Sequence, residues 1–287
     1  MREHLREAGS FFKEVIDEWS RDDALSLGAA LAYYTMFSMA PLLVLVIAIA
    51  GLIFGRQAAQ GEIVTQIQNA IGEASAKTIE EMIVRASQPS SGVLATVVSL
   101  VTMFFGASGA FGQLQSSLNK IWDVHHKARG GFRGQLRRRV SAFVMIMGAG
   151  ALLFVSVAAS TALSIVHGWL DQVFPVLSQV LPLANFALSF GVITLLFALI
   201  LKMLPDVRIE WGDVWLGAAV TALLFTIGKA GIGVYLGRAG VTSVYGAAGS
   251  LVLVLLWIYY SAQLLFLGAE FTEVYSRRYG SRKGVTE

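Results

Sequence analysis

Few residues in this chain combine reactive chemistry with an apolar setting, and Lys229 is foremost among them. It lies in TALLFTIGKAGIGVYLG (Thr221–Gly237), a run with no other charge. A cation placed in hydrocarbon costs at least roughly 2.5–3.5 kcal/mol, so its ammonium group is expected to face an aqueous cavity or a partner. There it would attract the anionic part of a solute. The alternative is snorkelling, with the four-carbon stem in lipid and the amine at the headgroups. Tyr235 and Tyr245 can bring hydroxyls toward Lys229, and Ser250 matches its depth, as do Ser189, Ser160, Ser99 and Thr102. Lys229, Tyr235, Tyr245 and Ser250 form the candidate substrate-binding set.

Catalytic constellations are thin. His125 and His126 are adjacent and would point apart on a helix, and no His-Glu-x-x-His or similar metal spacing accompanies them. Asp17, Asp22 and Asp23 read as a solvated helix start. There is no P-loop, no Gly-x-Ser-x-Gly and no carboxylate dyad within an apolar run. Cysteine is absent, which removes disulfides, thiolate chemistry and Cys-ligated metals. The expectation is a protein that is not an enzyme, with no catalytic residue, no metal and no cofactor. Glu270 is expected to be an interfacial anchor that bonds Arg277 or a loop donor.

The elements that must position these groups are long apolar runs. Of 287 residues, 55% are hydrophobic and 14% charged, against roughly a quarter charged in soluble domains. A hydrocarbon core about 30 Å thick needs about 20 apolar residues per helix. Spans are expected near Leu27–Phe54, Gly92–Ile121, Val140–Val166, Leu181–Leu204, Val214–Leu236 and Ser243–Phe271. The predicted fold class is all-α, a polytopic membrane protein with six transmembrane helices. The first run is too long, and its flank too charged, for a cleavable signal peptide.

Lysine and arginine set the orientation. Seventeen of the 22 fall in the N-terminal segment, the second and fourth connections and the tail; four fall on the other side, and Lys229 lies within a span. The positive-inside rule then places both termini in the cytoplasm.

Residues 1–26 read as an amphipathic helix, in which Leu5, Phe12, Val15, Ile16 and Trp19 recur at helical spacing. It could lie along the inner headgroups or pack on the protein's own loops. Residues 27–275 form the membrane domain and 276–287 the cytoplasmic tail. Within the domain, stripes at Ile63, Ile67 and Ile71 and at Ile79, Met82 and Ile83 predict two short outer helices over about 56–91. A basic cytoplasmic loop covers about 122–139. Pro41 and the Gly106, Gly109, Gly112 series fall near mid-membrane, where paired breaks can flex beside a transport site. Close packing through small residues is the other reading.

Several stretches together resemble the YihY/BrkB family of bacterial inner-membrane proteins. They are AALAYYTMFSMAPLLVLVIAIAGLIFG (Ala29–Gly55), IWDVHHKARGGF (Ile121–Phe132), Leu204-Pro205 followed by WGDVWLGA (Trp211–Ala218), and Lys229 through YGAAGSLVLVLLWIYYSAQLLFLGAEF to Phe271. The resemblance implies a six-helix integral membrane fold and no established activity. The family's historical ribonuclease label would require a metal cluster or an acid–base pair open to RNA, and this chain's residues supply neither.

The leading expectation is a transporter or flippase-like protein handling an amphiphilic or anionic envelope solute. A membrane scaffold or assembly factor is the alternative, and a tRNA-processing ribonuclease ranks third. Membrane lipids and a small solute are the expected partners, without nucleic acid; oligomeric state is left open.

Overall fold

A computed structural model describes residues 2–71, 73–87, 109–124, 148, 181–238 and 248–283. Its elements are helices: α1 (Arg2–Arg21), α2 (Ala24–Phe54), α3 (Arg56–Ile71) and α4 (Glu73–Ala86), then a helical segment α5 (109–121). They continue with α6 (Leu181–Met203), α7 (Trp211–Arg238) and α8 (Gly249–Arg278). Four described helices, α2, α6, α7 and α8, are long and apolar enough to cross a membrane. They coincide with the first, fourth, fifth and sixth expected spans. Most of the second span and all of the third but residue 148 lie outside the described residues, as do Gly106, Tyr245, the histidine pair and most of the basic loop.

α8 is the hub, packing against α1, α2 and α7. Its seam with α7 is built from two copies of one short pattern, Gly-Ala-x-x-Thr, at Gly217–Thr221 and Gly268–Thr272. A Cβ on Gly217 would collide with Thr272, and one on Gly268 would collide with Thr221. Each threonine thus occupies the notch left by the opposite glycine. Each also donates its hydroxyl to the carbonyl one turn back, Thr221 to Gly217 and Thr272 to Gly268, both at 2.7 Å. Both threonine hydroxyls are thereby satisfied, and the backbones approach closely, the arrangement small residues permit between apolar helices. Further along the seam, the Tyr260 hydroxyl abuts Gly228.

α2 continues through Pro41. A proline removes one N–H, and the intact turns on either side hold the helix together.

The two ends of the bundle differ. At one end α3 and α4 fold over α2 and the start of α8, burying Ile47, Ile79, Ile83 and Val254 together. Thr78 of α4 donates to Ser250 of α8 at 2.8 Å. We call this the cap end. The opposite, termini end gathers α1, the α1–α2 turn, the end of α5, the α6–α7 loop and the end of α8. Here α1 packs on α8 through Phe11, Val15 and Val274, leaving Phe12 and Ile16 exposed. Part of its apolar face therefore meets the protein and part faces outward.

Candidate functional site

Of the candidate binding set, the side chains of Lys229 and Ser250 fall among the described residues. Lys229, on α7, is exposed at the surface of the described residues. Ser250 is half-buried and engaged by Thr78 at the cap end. Tyr245 lies outside the described residues; Tyr235 belongs to α7, and its side chain is not described. Among the flexing candidates, Gly109 lies against Ser38 and Tyr34 of α2, at 3.4 and 3.5 Å from the position of a Cβ. The Ala110 N–H donates to Ser38 Oγ at 3.3 Å, and Ser38 donates to the Tyr34 carbonyl at 2.7 Å. Gly109 therefore sits at a contact between α5 and α2. Gly112 meets nothing within 4 Å.

The densest ionisable cluster is at the termini end, and two tight turns create it. After α1, Asp23 takes a left-handed conformation (φ 56°) and its N–H bonds the Ser20 carbonyl at 3.1 Å. After α5, Asp123 does the same (φ 50°), bonding Lys120 O at 3.0 Å while Val124 N–H reaches Asn119 O at 2.9 Å. This is the Schellman pattern, and aspartate tolerates the left-handed position better than most residues. The turns bring Asp22 and Asp123 into electrostatic contact, and Lys120 donates to the Asp22 carbonyl.

Glu270 enters this cluster from α8. It is 1% exposed, its side chain reaches that of Asp22, and its Oε1 has no hydrogen-bond partner among the described residues. Arg277, one of the two donors expected for Glu270, is engaged elsewhere, and most of the basic loop that could offer the other lies outside the described residues. Arg277 pairs with Glu14 at 2.8 Å, Glu18 at 3.0 Å and Glu273 at 3.5 Å. Arg278 adds contacts to Glu14 and to Ser10. The reason is geometric: α1 lies across the end of α8 and offers two carboxylates to the arginines there. Burial foremost, with the charge of Asp123 next, pushes the Asp22 carboxyl above its ordinary pKa; Lys120 acts in the opposite sense.

Around the cluster, Gln263 Nε2 donates to the Ala24 carbonyl at 3.1 Å, and among the described residues its buried Oε1 has no partner. Trp19 Nε1 and Trp122 Nε1 are likewise buried without a partner among the described residues. Arg282 lies over the Trp122 ring at 5.7 Å. The chain end beyond α8 is fastened to α7, where Asp213 accepts from Ser281 N and Oγ at 2.9 and 2.6 Å. Asn119 ties α5 to the α6–α7 loop through Asp206, at 2.7 and 3.1 Å. Among the described residues, no group of three or more His, Asp or Glu side chains is placed to hold a metal ion.

The sequence contained a signal for this cluster. Charge counting places the Asp22–Asp23 pair and the inner end of the last span on one side of the membrane, which makes Glu270 and Asp22 possible neighbours.

Residues 15–286 match the family described as Virulence factor BrkB. A UPF0761 membrane protein of Pseudomonas aeruginosa (strain LESB58) is 28% identical over 94% of this chain and 63% of its own length. A UPF0761 membrane protein of Vibrio parahaemolyticus serotype O3:K6 is 27% identical over 92% of this chain and 81% of its own length. The counterpart in Tolumonas auensis is 30% identical over 65% of this chain and 58% of its own length. The chain thus spans a little under two thirds of the Pseudomonas relative. No solved structure matches.

Proposed function

For a chain that belongs to the Virulence factor BrkB family of membrane proteins, we propose a multi-pass protein of the bacterial cytoplasmic membrane that moves an amphiphilic or anionic envelope solute. It crosses the bilayer six times with both termini inside, and it is not an enzyme. The observation that carries this reading is Lys229, a cation on a helix otherwise apolar around it. Hydrocarbon penalises such a charge, and an anionic group passing along α7 would relieve the penalty. Lys229 attracts the solute's anionic part, with Tyr235, Tyr245 and Ser250 as further contacts. The Pro41 and Gly106–Gly112 region supplies flexibility.

The test is reconstitution into vesicles, following fluorescent anionic lipid across the bilayer and an anionic solute into the lumen. Lys229→Met should abolish movement, and full activity in that variant would remove the reading. The topology is tested separately. Because the chain has no cysteine, Gly9→Cys and Lys77→Cys each introduce a single thiol at an exposed position. In intact spheroplasts an impermeant thiol reagent should label position 77 and spare position 9; the reverse pattern would invert the assignment.

A second reading, a membrane scaffold or assembly factor, is favoured by two observations. Lys229 is exposed on the described surface, as a snorkelling lysine would be, and Gly109 packs against α2. Unchanged binding partners in Lys229→Met, with no transport in wild type, would select it.

A further inference from the structure

Glu270 sits in a setting that an ionised carboxylate tolerates poorly. It is 1% exposed and its Oε1 lacks a donor among the described residues, although buried carboxylates are normally held by hydrogen bonds or a cation. Among the described residues it has no ion-pair partner, because Arg277 is occupied by Glu14, Glu18 and Glu273. Another acid, Asp22, lies within hydrogen-bonding reach of Glu270.

Two carboxyl groups in contact cannot both be ionised at little cost, and a single proton turns their repulsion into a hydrogen bond. We propose that Asp22 and Glu270 form a proton-binding site, in which one shared proton fastens the α1–α2 turn to α8 and its departure releases the turn.

The chemistry is acid–base only. One carboxyl O–H donates to the other group's oxygen; on release the proton passes to water and two like charges remain facing each other. Asp22, half-buried at the edge of the pair, is the side open to exchange. A proton fits better than a divalent ion, since the described residues offer no metal-holding group of three acids or histidines.

Other charges facing the pair do not neutralise it. α1 contributes Glu18, the turn after α5 contributes Asp123, and α8 contributes Glu273, all negative. Lys120 is the cation acting on Asp22, while Arg277 and Arg282 act on Glu273.

Infrared difference spectroscopy on the full chain in lipid nanodiscs, recorded while pH is raised, tests it. Wild type should lose a protonated-carboxyl C=O band as amide exchange across Ala24–Gly28 accelerates. Glu270→Gln should remove that band, whereas Glu273→Gln should retain it. Asp22→Asn leaves Glu270 buried and therefore still protonated, so the band should persist, shifted in frequency, and its loss at high pH should no longer accelerate exchange at the turn. If Glu270→Gln fails to fold, this shift and uncoupling in Asp22→Asn give the same reading. An unshifted band still coupled to exchange in folded Asp22→Asn, or absence of the band from folded wild type at every pH, overturns the proposal. So does a wild-type band that responds to pH without any change in exchange at the turn.

Discussion

The two ends of the bundle are held by different physics. At the cap end, α3 and α4 are fixed mainly by three isoleucines and a valine, Ile47, Ile79, Ile83 and Val254, together with the Thr78–Ser250 hydrogen bond. At the termini end, Phe11, Val15 and Val274 provide a small apolar contact. Around it, glutamates of α1 meet arginines of α8, and an acid pair lies beneath. Apolar contact responds to volume and is indifferent to salt and pH. Ion pairs and shared protons respond to both. The cap end should therefore behave as a fixed lid, and the termini end as the part that registers solution conditions.

The largest effect is expected at the cap. Ile83, 2% exposed, packs in that apolar group, and Ile83→Ala should cost about 2–5 kcal/mol. Detergent-titrated unfolding should give the same loss in low and high salt, and a salt-dependent loss would break the contrast.

A smaller effect, with a definite sign, is expected from Asp22. Its folded-state pKa lies above the unfolded value, so between the two the folded chain holds more protons than the unfolded one. Stability from this group is therefore present at low pH and declines as pH rises from the ordinary carboxyl range through the folded pKa. Asp22→Asn should flatten that decline in thermal unfolding scans; an unchanged slope would show that Asp22 does not cause it.

The smallest effect is at Arg277, whose side chain is 44% exposed. Arg277→Ala should destabilise the α1–α8 contact by about 0.2–1 kcal/mol per pair in low salt and less in high salt. Protease sensitivity of α1 across a salt series measures it. A salt-independent change would mean that the arginine acts through packing.

Much of the scaffold was legible in residue order. The apolar runs marked α2, α6, α7 and α8 because hydrocarbon accepts little else over such lengths. The isoleucine stripes marked α3 and α4 because helical period alone puts those residues on one face. The termini-end cluster was less legible, because its partners are tertiary neighbours. Asp22 read as a solvated helix start until the turns at Asp23 and Asp123 placed it beside Glu270. Arg277 was one of two donors expected for Glu270, seven residues away on the same helix, read without the competing glutamates that α1 brings across. The paired Gly-Ala-x-x-Thr segments were also in plain sight, but their reciprocity exists only once α7 and α8 lie side by side.

That reciprocity has a mechanical consequence. With Thr221 seated at Gly268 and Thr272 at Gly217, sliding α7 along α8 by one residue drives both threonines out of their notches together. The hairpin is a two-pin hinge with both pins engaged, so it must travel as a single plate. Whatever shape change this protein undergoes in the bilayer, relative displacement has to be taken up along other borders, and any lever the chain possesses is at least two helices wide.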